Sequence, residues 1–390
     1  MKELFDTSRR VAEYFSQAKK RFLYDRVNRN NRLIGITGQR GVGKTTLLVQ
    51  WMNEADNPDE HLYISADSLF LYNKSLFDIA LEFRKLGGKT LYIDEVHKYK
   101  NWSAEIKHIY DTVPQLNIIF TGSSVLDIMK GSADLSRRAV HYELSGLSFR
   151  EYVYFETGKE FEALTLEDIT AGKVNVKLEN PLYQFNQYLK KGYYPFYHYP
   201  EFELRLENTV NTVLEVDLIQ FLNLKASTVD KLKKLLRVIS LSVPFKPNIS
   251  KIAEVTGISR NLLPDYFSYL ERAGLVKTLK SETSGIRSLG KPEKVYLNNT
   301  SLANVLSGAN DKANTGNLRE TFFLSQFSRN IEVTAHKKAD FKVADYIFEV
   351  GSKNKKQDQI KELDNAYLVK DNIEFRFQNT IPLWHFGFLY

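Results

Sequence analysis

Gly38-Gln39-Arg40-Gly41-Val42-Gly43-Lys44-Thr45 sets three glycines, an ammonium group and a hydroxyl in eight consecutive residues. The stretch lies between an apolar run, Leu33-Ile34-Gly35-Ile36-Thr37, and a helix-forming segment, Thr46-Leu47-Leu48-Val49-Gln50-Trp51. The spacing is G-x-x-x-x-G-K-[ST], the phosphate-binding loop pattern, in the strand-loop-helix context that gives it meaning. Glycines let successive amide N–H groups turn toward phosphate oxygens, with the positive end of the following helix behind them. The expected phosphate contacts are Gly38, Gly41, Val42, Gly43, Lys44, Thr45 and Thr46, with ATP as the ligand. Lys44 is expected to reach the β- and γ-phosphates, and Thr45 to offer its hydroxyl to Mg²⁺. The plainer reading is an ordinary glycine turn, which the flanking elements disfavour.

Hydrolysis needs a second anchor for the metal and a group that orients water, both at the end of a neighbouring buried strand. Thr90-Leu91-Tyr92-Ile93-Asp94-Glu95 provides both types of group. Its unbroken apolar run reads as a parallel strand covered on two faces, with Asp94 emerging at the carboxyl end where open α/β sheets place ligands. Asp94 is the metal-side carboxylate on this reading, and Glu95 polarises the attacking water. The structural alternative makes Glu95 an acid stabilised by a helix N-terminus.

The elements that must position these groups recur along the chain. Strand-like runs at His61–Ser65, Asn117–Thr121 and Val140–Leu144 alternate with helical patterns, which predicts an α/β fold with a doubly wound parallel sheet. Thr121-Gly122-Ser123-Ser124 closes the fourth strand, so Ser123 or Ser124 stands level with the loop as a γ-phosphate sensor or, equally, caps a local turn.

GQRGVGKTT, LYIDEVHKYKNW, IIFTGSS, DLSRRAVHYEL and SGLSFREY, in this order, resemble the AAA-type P-loop ATPases of bacteria and archaea. In that group the ATPase domain precedes a winged-helix segment and a restriction-endonuclease-like carboxyl domain of unassigned function. The resemblance implies a Walker A motif at Gly38 to Thr45, a Walker B motif at Leu91 to Glu95 and a polar sensor at Ser123 or Ser124. It also implies a catalytic arginine just before the fifth strand, and Arg138 of Ser136-Arg137-Arg138 matches it best. A guanidinium there would meet the equatorial γ-oxygens, in cis or from a neighbouring copy; the alternative is a surface pair solvating the strand entrance.

Four regions follow: an AAA-type P-loop ATPase domain with an N-terminal helix over residues 1–145, a helical aromatic-rich region over 146–228, a winged-helix domain over 229–298, and a small α+β endonuclease-like domain over 299–390. QFNQYLKKGYYPFYHYP, Gln184 to Pro200, reads as buried core with a rigid turn in preference to a base-stacking surface. Asn248 to Gly257 followed by ISRNLLPDYFSYLERAGLVKTL suggests a helix-turn-helix, with Ser259 as an N-cap and Gly274 as a C-terminal stop. Leu262, Leu263, Asp265, Phe267 and Glu271 suit base reading poorly, and Pro264 argues against a straight recognition helix. A wing over Leu275–Leu297 carries Lys277, Lys280, Arg287, Lys291 and Lys294, which could meet phosphates without reading sequence. In the last region Glu320, Asp340 and Glu349 invite comparison with metal-dependent nucleases, but Gly351 stands where a lysine would follow Glu349, and Lys353 is displaced. The expectation is an αβββαβ outline that has lost cleavage, and surface carboxylates on an edge strand are as good a reading of these residues as a metal site.

Composition bounds the rest. The 390 residues are 43% hydrophobic, with no cysteine and seven histidines that show no paired helical spacing, so thiolate and zinc sites are not expected. The charged amino-terminal stretch and the lack of a long apolar run predict a soluble cytoplasmic protein with no membrane partner. A net charge of +7 is compatible with a polyanion. The sequence thus points to a Mg²⁺-dependent ATPase whose cycle moves the later domains. The alternative is a nucleotide-gated signalling or DNA-binding module with slow or no hydrolysis, and a homo-oligomer or a protein partner is left open.

Overall fold

A computed structural model describes residues 1–122, 135–219, 225–241, 245–282, 292–307, 315–327 and 331–390. The chain divides into two compact units, Met1–Gly146 and Leu147–Tyr390.

In the first unit, α1 (Lys2–Tyr14) and the short α2 (Leu23–Arg26) lead into β1 (Leu33–Thr37), α3 (Lys44–Asn53), β2 (His61–Ser65), α4 (Leu76–Lys85), β3 (Thr90–Asp94), α5 (Trp102–Thr112), β4 (Asn117–Gly122) and β5 (Val140–Glu143). All five strands expected from the sequence are present. They form one parallel sheet in the order β2-β3-β4-β1-β5. Leu33, Ile34 and Ile36 of β1 and Leu91 and Ile93 of β3 are fully buried, as two-sided coverage requires. Phe83, Ile106, Ile109 and Phe120 are equally buried, and each such side chain contributes about 1.5–3 kcal/mol by leaving water. Ser75 starts α4 by accepting a hydrogen bond from the Asp78 amide (3.0 Å). Because the strands are parallel, Thr37, Ser65, Asp94 and Thr121 all reach the same edge of the sheet.

The second unit packs helices against a seven-stranded sheet in the order β12-β11-β10-β9-β8-β6-β7. Its strands are β6 (Val276–Ser281), β7 (Lys294–Leu297), β8 (Val333–Ala335), β9 (Phe341–Val343), β10 (Tyr346–Gly351), β11 (Ala366–Lys370) and β12 (Thr380–Pro382). Phe185, Tyr188, Tyr193, Tyr194 and Tyr197 of the aromatic stretch are buried, which is the core reading. Phe149 meets Phe185, Tyr188 and Phe388 at ring-centroid distances of 5.2, 5.6 and 5.8 Å.

Three helices, Ala226–Ser240, Ile249–Thr256 and Leu263–Arg272, precede the antiparallel β6–β7 hairpin. Several local expectations are corrected here. Pro264 lies in the first turn of Leu263–Arg272, where its missing N–H is not needed, so it opens the helix instead of bending it. Ser259 is not the N-cap; its carbonyl accepts the Leu262 amide in the preceding turn (3.0 Å). Gly274 does close the helix, with φ 74°. The hairpin is not free-standing: Lys280 and Ser281 of β6 pair in parallel with Thr334 and Ala335 of β8. Between β10 and β11 the chain makes turns only, so the expected αβββαβ outline lacks its second helix.

Candidate functional site: the glycine loop and the carboxylates beyond it

The loop leaves β1 in close contact with the end of β5. A Cβ on Gly38 would stand 2.2 Å from the Leu144 carbonyl oxygen, so only glycine fits there. Gly41 and Gly43 follow with φ of 83° and 97°, and Val42 between them is fully buried. The Arg21 guanidinium, itself 5% exposed, fixes the loop from beneath: it donates to the Val42 carbonyl (2.6 Å) and to the carbonyls of Ser145 (2.8 Å) and Gly146 (3.1 Å). Lys44 opens α3 and folds back over the loop, donating to the Gly38 (3.0 Å) and Gln39 (2.7 Å) carbonyls. Thr45 and Thr46 complete the first turn of α3.

Thr45 donates its hydroxyl to Asp94 Oδ2 at 2.6 Å. The same oxygen accepts from the Tyr63 hydroxyl (2.9 Å), and Oδ1 accepts from Thr121 Oγ1. Asp94 is 3% exposed, so hydroxyl donors replace the water an ionised carboxylate would otherwise need. Burial, then the neighbouring Asp94, pushes the Tyr63 phenol far above its ordinary value and keeps it a donor.

Glu95 follows in a left-handed conformation, φ 52°, with its amide donating to Thr121 Oγ1 (3.0 Å). Its carboxylate lies 4.0 Å from His97 Nε2. The His97 ring is buried, and burial, assisted by Lys98, Lys44 and Arg40, pushes it down to about 3, so it is neutral at physiological pH. The loop residues Gly38, Gly41, Val42, Gly43, Lys44, Thr45 and Thr46 thus share one sheet edge with Asp94 and Glu95.

Arg138 is elsewhere. Its guanidinium pairs with both carboxylate oxygens of Asp111, at 2.9 and 3.0 Å. Val140 pairs with Ile34 near the start of β1, whereas the loop begins after Thr37. Three strand residues at about 3.3 Å each separate the two ends by roughly 10 Å. Within its own chain Arg138 therefore faces the opposite edge of the sheet. Ser123 and Ser124 lie outside the described residues.

Sequence reasoning missed four contributors: Tyr63, Thr121, Arg21 and His97. Thr121 had a readable signal, since Ile93 pairs with Phe120 and the next residue must stand beside Asp94. Tyr63 could be found only from cross-strand register, as a long side chain on β2 reaching diagonally toward the end of β3.

The second unit holds another set of buried charges. Lys294, on β7, places its ammonium 3.1 Å from Asp340 Oδ1 and 3.4 Å from Glu320 Oε2, and Tyr296 donates to the same Glu320 oxygen (2.7 Å). Asp340 Oδ2 accepts the Val350 amide (3.0 Å). Glu349 pairs with Lys355 at 2.5 Å, while Lys353 is exposed. The ammonium beside Glu349 is therefore supplied six residues along the chain, and Gly351 makes room for it: a Cβ there would stand 2.5 Å from Lys355 Cγ. Burial and the neighbouring Asp340 raise both Glu320 and Glu349. Burial alone would lower Lys294, but Glu320 and Asp340 hold it above its ordinary value. Among the described residues, no group of three or more His, Cys, Asp or Glu side chains is arranged to hold a metal ion.

The hairpin lysines are also largely committed. Lys277 donates to the carbonyls of Leu324 and Phe327, both at 3.1 Å, and Lys294 is engaged as above. Lys280 is exposed, and Arg287 and Lys291 lie outside the described residues. Among the described residues no helix is long and apolar enough to cross a membrane.

A five-stranded parallel sheet with a glycine loop between β1 and α3, a Lys-Thr pair opening that helix and an aspartate ending β3 fits the P-loop nucleoside triphosphatase fold. Residues 30–153 match the AAA domain family, and residues 182–313 match a domain of unknown function (DUF8612). The chain is 30% identical over 316 residues to the uncharacterized protein MJ1637 of Methanocaldococcus jannaschii, covering 73% of this chain and 66% of that relative. It thus spans just under two thirds of the relative's length. Among solved structures, the Walker-type ATPase PABY2304 of Pyrococcus abyssi aligns with a TM-score of 0.44 at 16% identity, over 71% of this chain and 91% of that one. AMPPCP-bound DnaA of Aquifex aeolicus aligns with a TM-score of 0.31 at 14% identity, over 67% and 85%.

Proposed function

We propose that the first unit binds ATP with Mg²⁺ and hydrolyses it, and that the cycle repositions the second unit. The observation that carries this reading is the Thr45–Asp94 hydrogen bond at 2.6 Å beneath a glycine loop whose lysine donates to the main-chain carbonyls of Gly38 and Gln39. A triphosphate can replace those carbonyls as the partner of Lys44 without stranding a charge. Loop amides and the N-terminus of α3 would hold the β- and γ-phosphates. A hydroxyl and a carboxylate oxygen side by side suit a hard divalent ion, so Thr45 and Asp94 would hold Mg²⁺, which when bound neutralises phosphate charge.

Tyr63 and Thr121 orient Asp94. Glu95 accepts a hydrogen bond from the attacking water, and the neutral His97 ring lies beside it. Thr121 joins Asp94 to the Glu95 amide, and Ser123 or Ser124, just past the end of β4, is the polar sensor on this reading. Arg138 acts on the nucleotide of a second copy, a reading supported by its place at the far edge of its own sheet.

In the second unit we read the three helices with the β6–β7 hairpin as a winged helix, and residues 299–390 as an endonuclease-like domain that does not cut. The inward use of Lys277 and Lys294 favours an interaction module over a DNA reader.

Titration of the purified chain with Mg²⁺-ATP, together with phosphate release, tests the proposal. Saturable binding with turnover, both absent in Lys44→Ala, is expected. Binding without single-turnover hydrolysis would favour the nucleotide-gated module, and no binding would end the proposal.

A further inference from the structure

One buried side chain touches both the middle of the glycine loop and the last residues of the first unit. Arg21 donates from one terminal nitrogen to the Val42 carbonyl at 2.6 Å and from the other to Ser145 (2.8 Å) and Gly146 (3.1 Å). Gly146 is the final residue of the first unit. We infer that Arg21 is a positioning residue that reports the state of the phosphate loop to the Ser145–Gly146 junction. The inference rests on the nucleotide-binding reading above.

The argument is mechanical. A guanidinium is a rigid planar fork, so its two terminal nitrogens cannot move independently. Arg21 is 5% exposed, and water cannot readily take over a contact that it drops. The Leu144 amide also donates to the Thr37 carbonyl at 2.7 Å, so the segment entering the junction is hydrogen-bonded to the strand that enters the loop. Lys44 now donates to the Gly38 and Gln39 carbonyls, and phosphate oxygens compete with them for its N–H groups, so filling the loop loosens or releases these contacts. That release changes the loop to which Val42 belongs. If the Val42 carbonyl shifts, the fork must follow it, or must let go of Val42 or of Ser145 and Gly146. Each of these alters the hydrogen bonding of the last two residues before the second unit. Linkage makes the effect reciprocal: a force on the junction would alter nucleotide affinity by the same factor.

Hydrogen exchange at residues 144–147, with and without saturating Mg²⁺ and a non-hydrolysable ATP analogue, tests this on the full chain. In the unaltered protein the nucleotide should change exchange there by about fivefold or more. Arg21→Gln, brought to saturation as checked by titration, should leave exchange at 144–147 unchanged by nucleotide. Arg21→Lys keeps the charge but not the fork, so it should bind nucleotide and still lose most of the response; it also serves if Arg21→Gln does not fold. The same nucleotide response in either saturated variant, or no response in the unaltered protein once saturated, overturns the inference. Failure of the unaltered protein to bind nucleotide is read separately in the titration, and it removes both the site and the relay.

Discussion

Each unit of this chain gathers buried charge, and the two do so in opposite ways. At the glycine loop, Lys44 donates to two main-chain carbonyls and Asp94 accepts from three hydroxyls. In the second unit, Lys294 sits between Glu320 and Asp340, and Lys355 sits on Glu349. The carbonyls and hydroxyls of the first arrangement are neutral dipoles, which an incoming phosphate or metal ion can replace. The second is already neutralised from within, and any ligand would have to break buried ion pairs. Carboxylates at promising sequence positions are therefore weak guides to chemistry until their partners are known.

The largest expected effect breaks the first arrangement alone. Lys44→Ala should abolish measurable ATP binding by calorimetry while leaving the urea midpoint of the second unit in place. Glu95→Gln should retain nucleotide and slow phosphate release by about 10²–10⁴-fold; unchanged turnover removes Glu95 from the reaction. The converse experiment is Lys294→Met, which takes the shared ammonium from two partly buried carboxylates, Glu320 and Asp340. It should lower second-unit stability by about 3–5 kcal/mol in urea titration, with ATP affinity unaffected. Loss of nucleotide binding in that variant would show that the two clusters are not independent.

A smaller change sharpens the comparison. Tyr63→Phe removes one of the hydroxyls on Asp94 and should cost about 1 kcal/mol, read as a roughly fivefold drop in kcat/KM.

The smallest effect is one of sign. His97 has a folded value depressed to about 3, so the unfolded chain binds the extra proton below its ordinary 6.5, and the stability from neutral His97 is lost as pH falls through that window. Glu320 is raised, so here the folded chain binds the extra proton, and stability is lost as pH rises from the ordinary carboxylate value through the raised one. Between neutrality and pH 5, His97→Asn should lose less stability on acidification than the unaltered protein, and Glu320→Gln should lose more. Matching urea midpoints across that range in all three proteins would refute both assignments.

Much of the first unit was legible because its signals are local. Five strand-like runs named the strands, four of them buried and the last, Val140–Glu143, mostly exposed, and a glycine pattern between a strand and a helix named the loop. The place of Asp94 at the carboxyl end of β3 was legible because it ends an apolar run. Tyr63 was not, because its contact depends on how β2 is registered against β3. Lys355 escaped for a similar reason: counting along the chain from Glu349 reached Gly351 and then Lys353, while the turns after β10 bring a later lysine back. Pro264 was misread because its effect depends on whether it falls in the first turn of a helix or inside it. Lys277 and Lys294 looked like phosphate contacts because their charge, and not their direction, is visible in the sequence.

Strand β6 spends its first four residues on β7 and its last two on β8. Fragments made by cutting the chain just past Leu297 would each carry a raw edge: β6 would offer unmet backbone donors and acceptors on one side, and β8 would do the same on the other. Expressed apart, such pieces should stick to themselves or to each other. Anyone dissecting the protein would do better to keep everything after Gly146 in one piece.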